Sequence, residues 1–139
     1  MELAIDRSSP EETEKELVHS LVALAGYAMI HLVKDIVWVK TLCNPPRSRK
    51  RVNGLYAERK SGNFIYLDYS LDQDMATKVL IHECIHVFVC LNNGKKGIMI
   101  EEEFAYSAED FLWERLNPDE KAFFRSYLPS RLRYLKKLR

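Results

Sequence analysis

A chain of 139 residues, 47% hydrophobic and 29% charged, is long enough to bury a core and has the balance of a soluble globular domain. Its net charge of +1 makes no global case for nucleic acid or a membrane surface, and no apolar run reaches the roughly 18 residues that a membrane span needs. Three cysteines, Cys43, Cys84 and Cys90, form no CxxC pair, which argues for a reducing compartment, and Met1 to Arg7 does not read as a secretory leader.

Ser9, Pro10, Glu11 and Glu12 make a helix start. Serine can cap, proline suits the first turn, and acids favour the positive end of the helix dipole. The helix is predicted to run to about Lys34, with Leu17, Leu21, Leu24, Ala28 and Leu32 on its core face. His19 and His31 are not at ligand spacing and read as structural. Asp35 to Leu42 is rich in strand formers. Asn44 to Arg51 is a loop, broken by Pro45 and Pro46 and carrying Arg47, Arg49, Lys50 and Arg51. Val52 to Glu58 and Asn63 to Tyr69 then flank a turn as a β-hairpin, in which Gly62 supplies a positive φ.

Ser70 or Asp72 caps the next helix, which is predicted to end near Asn92-Asn93-Gly94. A further helix runs from about Met99 to Leu116, with Phe104, Ala105, Ala108, Phe111, Leu112 and Leu116 as its apolar stripe. Asn117-Pro118 breaks it, and Asp119 to Tyr127 forms a short helix. The tail over 129–139 reads as an amphipathic basic helix, with Leu132, Leu135 and Leu138 among Arg131, Arg133, Lys136 and Lys137. The whole is an α+β domain with helices beside a small, mainly antiparallel sheet. Charge is uneven along it. Glu101 to Glu120 holds eight acidic residues and one basic one, and Lys121 to Arg139 holds seven basic residues and no acidic one.

The chemistry concentrates in the capped helix. It contains Val79-Leu80-Ile81-His82-Glu83-Cys84-Ile85-His86, an HExxH sequence whose only charged neighbour between Met75 and Leu91 is Lys78. On a helix, His82 and His86 stack one turn apart and can share a metal ion. Glu83 beside them can act as a general base towards water, which is the zinc hydrolase arrangement. The plain alternative is a core helix with two hydrogen-bonded histidines. Against it, two imidazoles and a carboxylate buried together without compensation are costly. Cys84 points away from the histidine face and reads as core.

Catalytic zinc needs three protein ligands and an open position. The chain has four histidines and none follows His86, so a carboxylate must complete such a site. The following helix opens with Glu101, Glu102 and Glu103, acids that also suit a helix dipole. A short turn folds this helix back against the HExxH helix. By helical phase Glu101 falls nearest the centre of the apolar stripe, Glu102 on its flank and Glu103 away from it.

Gly54-Leu55-Tyr56, Phe64-Ile65-Tyr66-Leu67-Asp68, the HExxH segment and Glu102-Glu103-Phe104-Ala105-Tyr106 together resemble a small zincin. The likeness is to gluzincin-type metallopeptidases, which combine HExxH with a glutamate. Within them it is to the compact ImmA/IrrE-like proteins of bacteria and phages. It covers about residues 54–112, and the first helix and the basic tail lie outside it. The resemblance implies a zincin-like domain and Glu102 as the third ligand, with Glu101 as the second choice. It puts Tyr106 where many members carry Asp or Asn, and it implies a cytoplasmic setting, bacterial or in a phage's host.

The expectation that follows is a zinc-dependent metallopeptidase acting on a peptide or protein substrate. His82, His86 and Glu102 hold Zn2+, and Glu83 is the catalytic base. The strand Asn63 to Tyr69 is expected to be the sheet edge that pairs with extended substrate. Tyr66, Tyr69 and Tyr106 are candidates by residue type for stabilising the oxyanion. The alternative is a zincin-fold binding or regulatory protein with structural or vestigial zinc. Its basic loop and basic tail would contact a protein or nucleic-acid partner. A metal-free scaffold is the third reading.

Overall fold

A computed structural model describes residues 10–45, 48–93 and 98–138, with the side chains of 88–104 outside the description. The architecture is α+β. Helix α1 (Pro10–Tyr27) passes through a π turn (Ala28–Leu32) into β1 (Val33–Val39). The strands β2 (Gly54–Arg59) and β3 (Gly62–Asp68) follow, then α2 (Gln73–Asn93), α3 (Ile98–Arg115) and α4 (Pro118–Arg125). The central helix α2 carries the HExxH. It packs against β2 and β3 on one side and against α1, α3 and α4 on others.

Local sequence accounts for most of these elements. Asp72 is the cap of α2, its carboxylate accepting from the Met75 N–H at 2.8 Å. Ser70 donates instead to Asp68. Asn117 and Glu120 form a reciprocal capping box at the start of α4, with Pro118 in its first turn. The hairpin turns at Gly62, whose φ of 138° is open to glycine and strained for other residues.

Several expectations are corrected. The first helix changes from α to π at Ala28 and ends at Leu32, two residues before the predicted end, where Val33 pairs with Asn63 of β3 and the Asn63 side chain donates to the Leu32 carbonyl. Leu21, Ala28 and Leu32 of the predicted face meet the core together with Val18, Val22, Ala25 and Met29, while Leu17 is 48% exposed. The sheet is mixed, not mainly antiparallel. Its order is β1-β3-β2, with β1 parallel and β2 antiparallel to β3. The connection through residues 40–53 carries the chain past β1, so the hairpin docks with its second strand inward. The strand expected to be an edge, Asn63 to Tyr69, is therefore central and paired on both sides.

The tail is not a helix. Leu135 bridges Val39, the Leu135 N–H donates to the Trp38 carbonyl, and the Lys40 N–H donates to the Leu135 carbonyl. Unpaired strand edges offer such partners, and covering them suppresses aggregation. Arg131 anchors the segment. Its guanidinium lies 4.0 Å from the Trp38 ring centroid and donates to the carbonyls of Tyr69 and Leu71. The Trp38 indole N–H donates to the Pro129 carbonyl at 2.8 Å. Leu138 ends buried with Val39, Leu42 and Tyr66. Arg131→Ala removes a charged donor from two carbonyls and a ring contact, and should cost about 2–3 kcal/mol. Urea unfolding of the variant against the wild type measures it, and Arg131→Lys should recover less than half of the loss because a lysine cannot span both carbonyls while stacking.

Candidate functional site

From Ala76 to Val87, helix α2 is buried on most sides. Ala76, Val79, Leu80, Ile81, Cys84, Ile85 and Val87 belong to the main hydrophobic core. His82 and Glu83 are 7% and 5% exposed within that setting. His86, one turn on, is half-buried. The Nε2 atoms of His82 and His86 stand 3.1 Å apart. Among the described residues, His82, Glu83 and His86 form the group of side chains able to hold a metal ion, each offering an atom within 4.8 Å of the others. Two imidazole nitrogens at 2.0–2.1 Å from a tetrahedral zinc would lie about 3.3 Å from each other. The observed separation fits that requirement.

The cluster opens into a cleft of about 890 Å³ between β2, α2 and α3. Gly54 sets the width of its floor. A Cβ on this residue would meet Val79 Cγ1 at 2.5 Å and Glu83 Cγ at 3.1 Å. Only a residue without a side chain lets β2 lie this close to the HExxH turn. The requirement is one of space, not of backbone conformation.

A further carboxylate reaches the site from α3. Glu109 is 8% exposed, and its Oε2 lies 3.6 Å from His82 Nδ1. It lines the cleft with Tyr106, one turn earlier, whose ring centroid is 4.4 Å from that of His82. Glu109 was not among the predicted site residues. The signal for it is a pattern of buried positions: Ala105, Ala108, Leu112 and Leu116 are all core, and Glu109 occupies the i+4 slot of that series. A carboxylate inside an apolar stripe calls for a partner.

His82, Glu83 and His86 thus come together as the sequence predicts. The third predicted ligand, Glu102, lies on α3, as do Glu101 and Glu103, but the side chains of all three lie outside the described residues. Cys84 is fully buried core, and burial, reinforced by the charge of Glu83, pushes its thiol well above its ordinary range. Of the three tyrosines, only Tyr106 lines the cleft. The Tyr66 hydroxyl accepts from Arg59 Nε, and the Tyr69 hydroxyl donates to the Arg131 carbonyl.

The basic loop divides. Arg51 forms a forked pair with buried Asp68, at 3.1 and 3.0 Å, which holds its guanidinium above its ordinary pKa. Lys50 lines the cleft, and Arg47 lies outside the described residues. Among the described residues, no helix is long and apolar enough to cross a membrane.

The chain matches no family model, no curated protein and no solved structure. The close approach at Gly54 is open to a direct check. Gly54→Ala should destabilise the fold by about 1–3 kcal/mol through overpacking. Combined with Val79→Ala, which removes the clashing methyl, the loss should be at least about 0.5 kcal/mol smaller than the sum of the two single losses.

Proposed function

We propose that this chain is a zinc-dependent metallopeptidase of the HExxH-plus-glutamate type. The observation that carries the reading is the convergence of the two Nε2 atoms at 3.1 Å beside Glu83, at the floor of an open cleft. The resemblance to ImmA/IrrE-like proteins points the same way. Bound zinc would lower the pKa of a water to about 7 and polarise a carbonyl.

The chain's own residues supply the rest. His82 and His86 would hold the metal through Nε2, and Glu102 would complete the ligand set, as the resemblance implies. Glu109 faces the opposite nitrogen of His82, where a carboxylate fixes the ring's tautomer and orientation. Glu83 accepts a proton from the water that attacks the scissile carbonyl carbon. It returns that proton to the leaving amine nitrogen as the C–N bond breaks. Tyr106 stands at the cleft with a phenolic donor for the developing oxyanion.

Extended substrate pairs with β2, not with β3. The outer edge of β2 faces away from β3 and borders the cleft, and its backbone groups are suited to strand addition. The opposite edge of the sheet is already occupied by the tail.

Protein purified without chelator is expected to hold stoichiometric zinc, read by atomic emission. Glu83→Gln should retain the metal and lose at least about 100-fold in chelator-sensitive cleavage of a peptide library. Absence of zinc from the wild type would falsify the assignment. The two carboxylates of α3 separate by affinity. Glu109→Ala should weaken zinc binding about 10–100-fold in a competition titration, whereas Glu102→Ala, losing a direct ligand, should weaken it more. Equal retention by both variants would leave the third ligand elsewhere.

A further inference from the structure

Two basic stretches far apart in the chain meet on one face. Residues 40–44 hydrogen-bond to both. Lys40 N–H donates to the Leu135 carbonyl at 2.8 Å and Thr41 N–H to the Lys136 carbonyl at 3.2 Å. The same segment bonds to the loop, Asn44 N–H to the Lys50 carbonyl and Val52 N–H to the Leu42 carbonyl, each at 3.0 Å. Residues 40–44 thus form a seam to which both the tail and the loop are bonded.

The seam concentrates unneutralised charge. Lys40, Arg49, Lys50, Arg133, Lys136 and Lys137 are all exposed. The ion pairs of the described residues involve Arg51, Lys78, His82, Arg115 and Arg125, and none of these six cations. Within the face, Tyr134 is 43% exposed, with the Lys40 ammonium 5.9 Å from its ring centroid. The molecule carries only +1 overall, so this is a local field set against acidic surface elsewhere.

We infer that this face binds single-stranded nucleic acid through its phosphates. A group of exposed cations tracks a flexible polyanion, and a half-exposed aromatic ring offers a surface for an unpaired base. No helix or hairpin projects from the face to enter a duplex groove, so recognition is of backbone and stacking, without base-edge readout. The face lacks the amphipathic helix by which a membrane surface is engaged. The inference stands on charge and placement alone and does not rest on the metal reading.

The test is fluorescence anisotropy of labelled oligothymidylate with the full chain. Neutralising about four phosphates predicts a weakening of roughly 50-fold between about 50 and 200 mM salt. Lys136→Glu/Lys137→Glu on the tail and Arg49→Glu/Lys50→Glu on the loop should each weaken binding at least about tenfold. Lys15→Glu/Lys60→Glu, a charge-matched change at exposed positions elsewhere, should stay within about twofold. Circular dichroism melts check that each variant is folded, and the loop pair stands if the tail pair is not. Stripping zinc should leave the affinity unchanged. The inference is overturned by no binding at low salt, or by equal weakening in the charge-matched control. It is equally overturned by phosphatidylserine vesicles or polyglutamate binding as tightly as the oligonucleotide.

Discussion

A buried imidazole and carboxylate, His82 and Glu83, with half-buried His86 one turn on, impose the constraint that the surrounding structure answers. Polar groups removed from water must find partners or a ligand, at a cost of several kcal/mol otherwise. The fold supplies neighbours from two directions. From the sheet, β2 comes close enough at Gly54 to touch Val79 and Glu83. From the other side, α3 brings the Glu109 carboxylate to His82 Nδ1 and the Tyr106 ring to the same imidazole. Both the cleft and its chemistry follow from these approaches, since the groups that meet His82 and Glu83 are also the walls of the open space.

The two edges of the sheet are treated differently, and the difference bears on function. Beyond β1, the tail forms a short extension of the sheet and is locked by Arg131 between aromatic rings and carbonyls. Beyond β2 lies the cleft. The chain covers one edge with its own tail and leaves the other beside the candidate site. The same docking bonds the basic tail to Lys40 and Thr41, at the start of the connection after β1.

Caps, breakers and periodicity were readable along the chain because they act within a few residues. Asp72 stops the first turn of α2 from fraying, Asn117 and Glu120 cap each other, and Gly62 turns the hairpin. Each is a local contest between backbone groups and nearby side chains, so residue type and spacing decide it. The i, i+4 relation of His82 and His86 is local in the same sense. Readings that needed a neighbour from elsewhere in the chain went astray. The strand expected at the edge is central because β1 pairs with it, and the leucines of the tail, spaced for a helix, were drawn out along β1. Helical propensity, worth a few tenths of a kcal/mol per residue, yields to a complete set of hydrogen bonds and a buried anchor.

By itself, the sequence determined the α+β class, the helix that carries His82, Glu83 and His86, and the shared face of the two histidines. Helix pitch alone enforces that geometry. Tertiary structure decided which strand is the open edge, which glycine must be small, and that Glu109 stands behind His82. It also decided that Arg51 is tied to Asp68 and that the tail docks on the segment after β1. Each of these depends on the order and direction in which distant segments pack. That order is set by the pairing of β1 with β3 and the turning back of α3, and chain spacing carries no record of either.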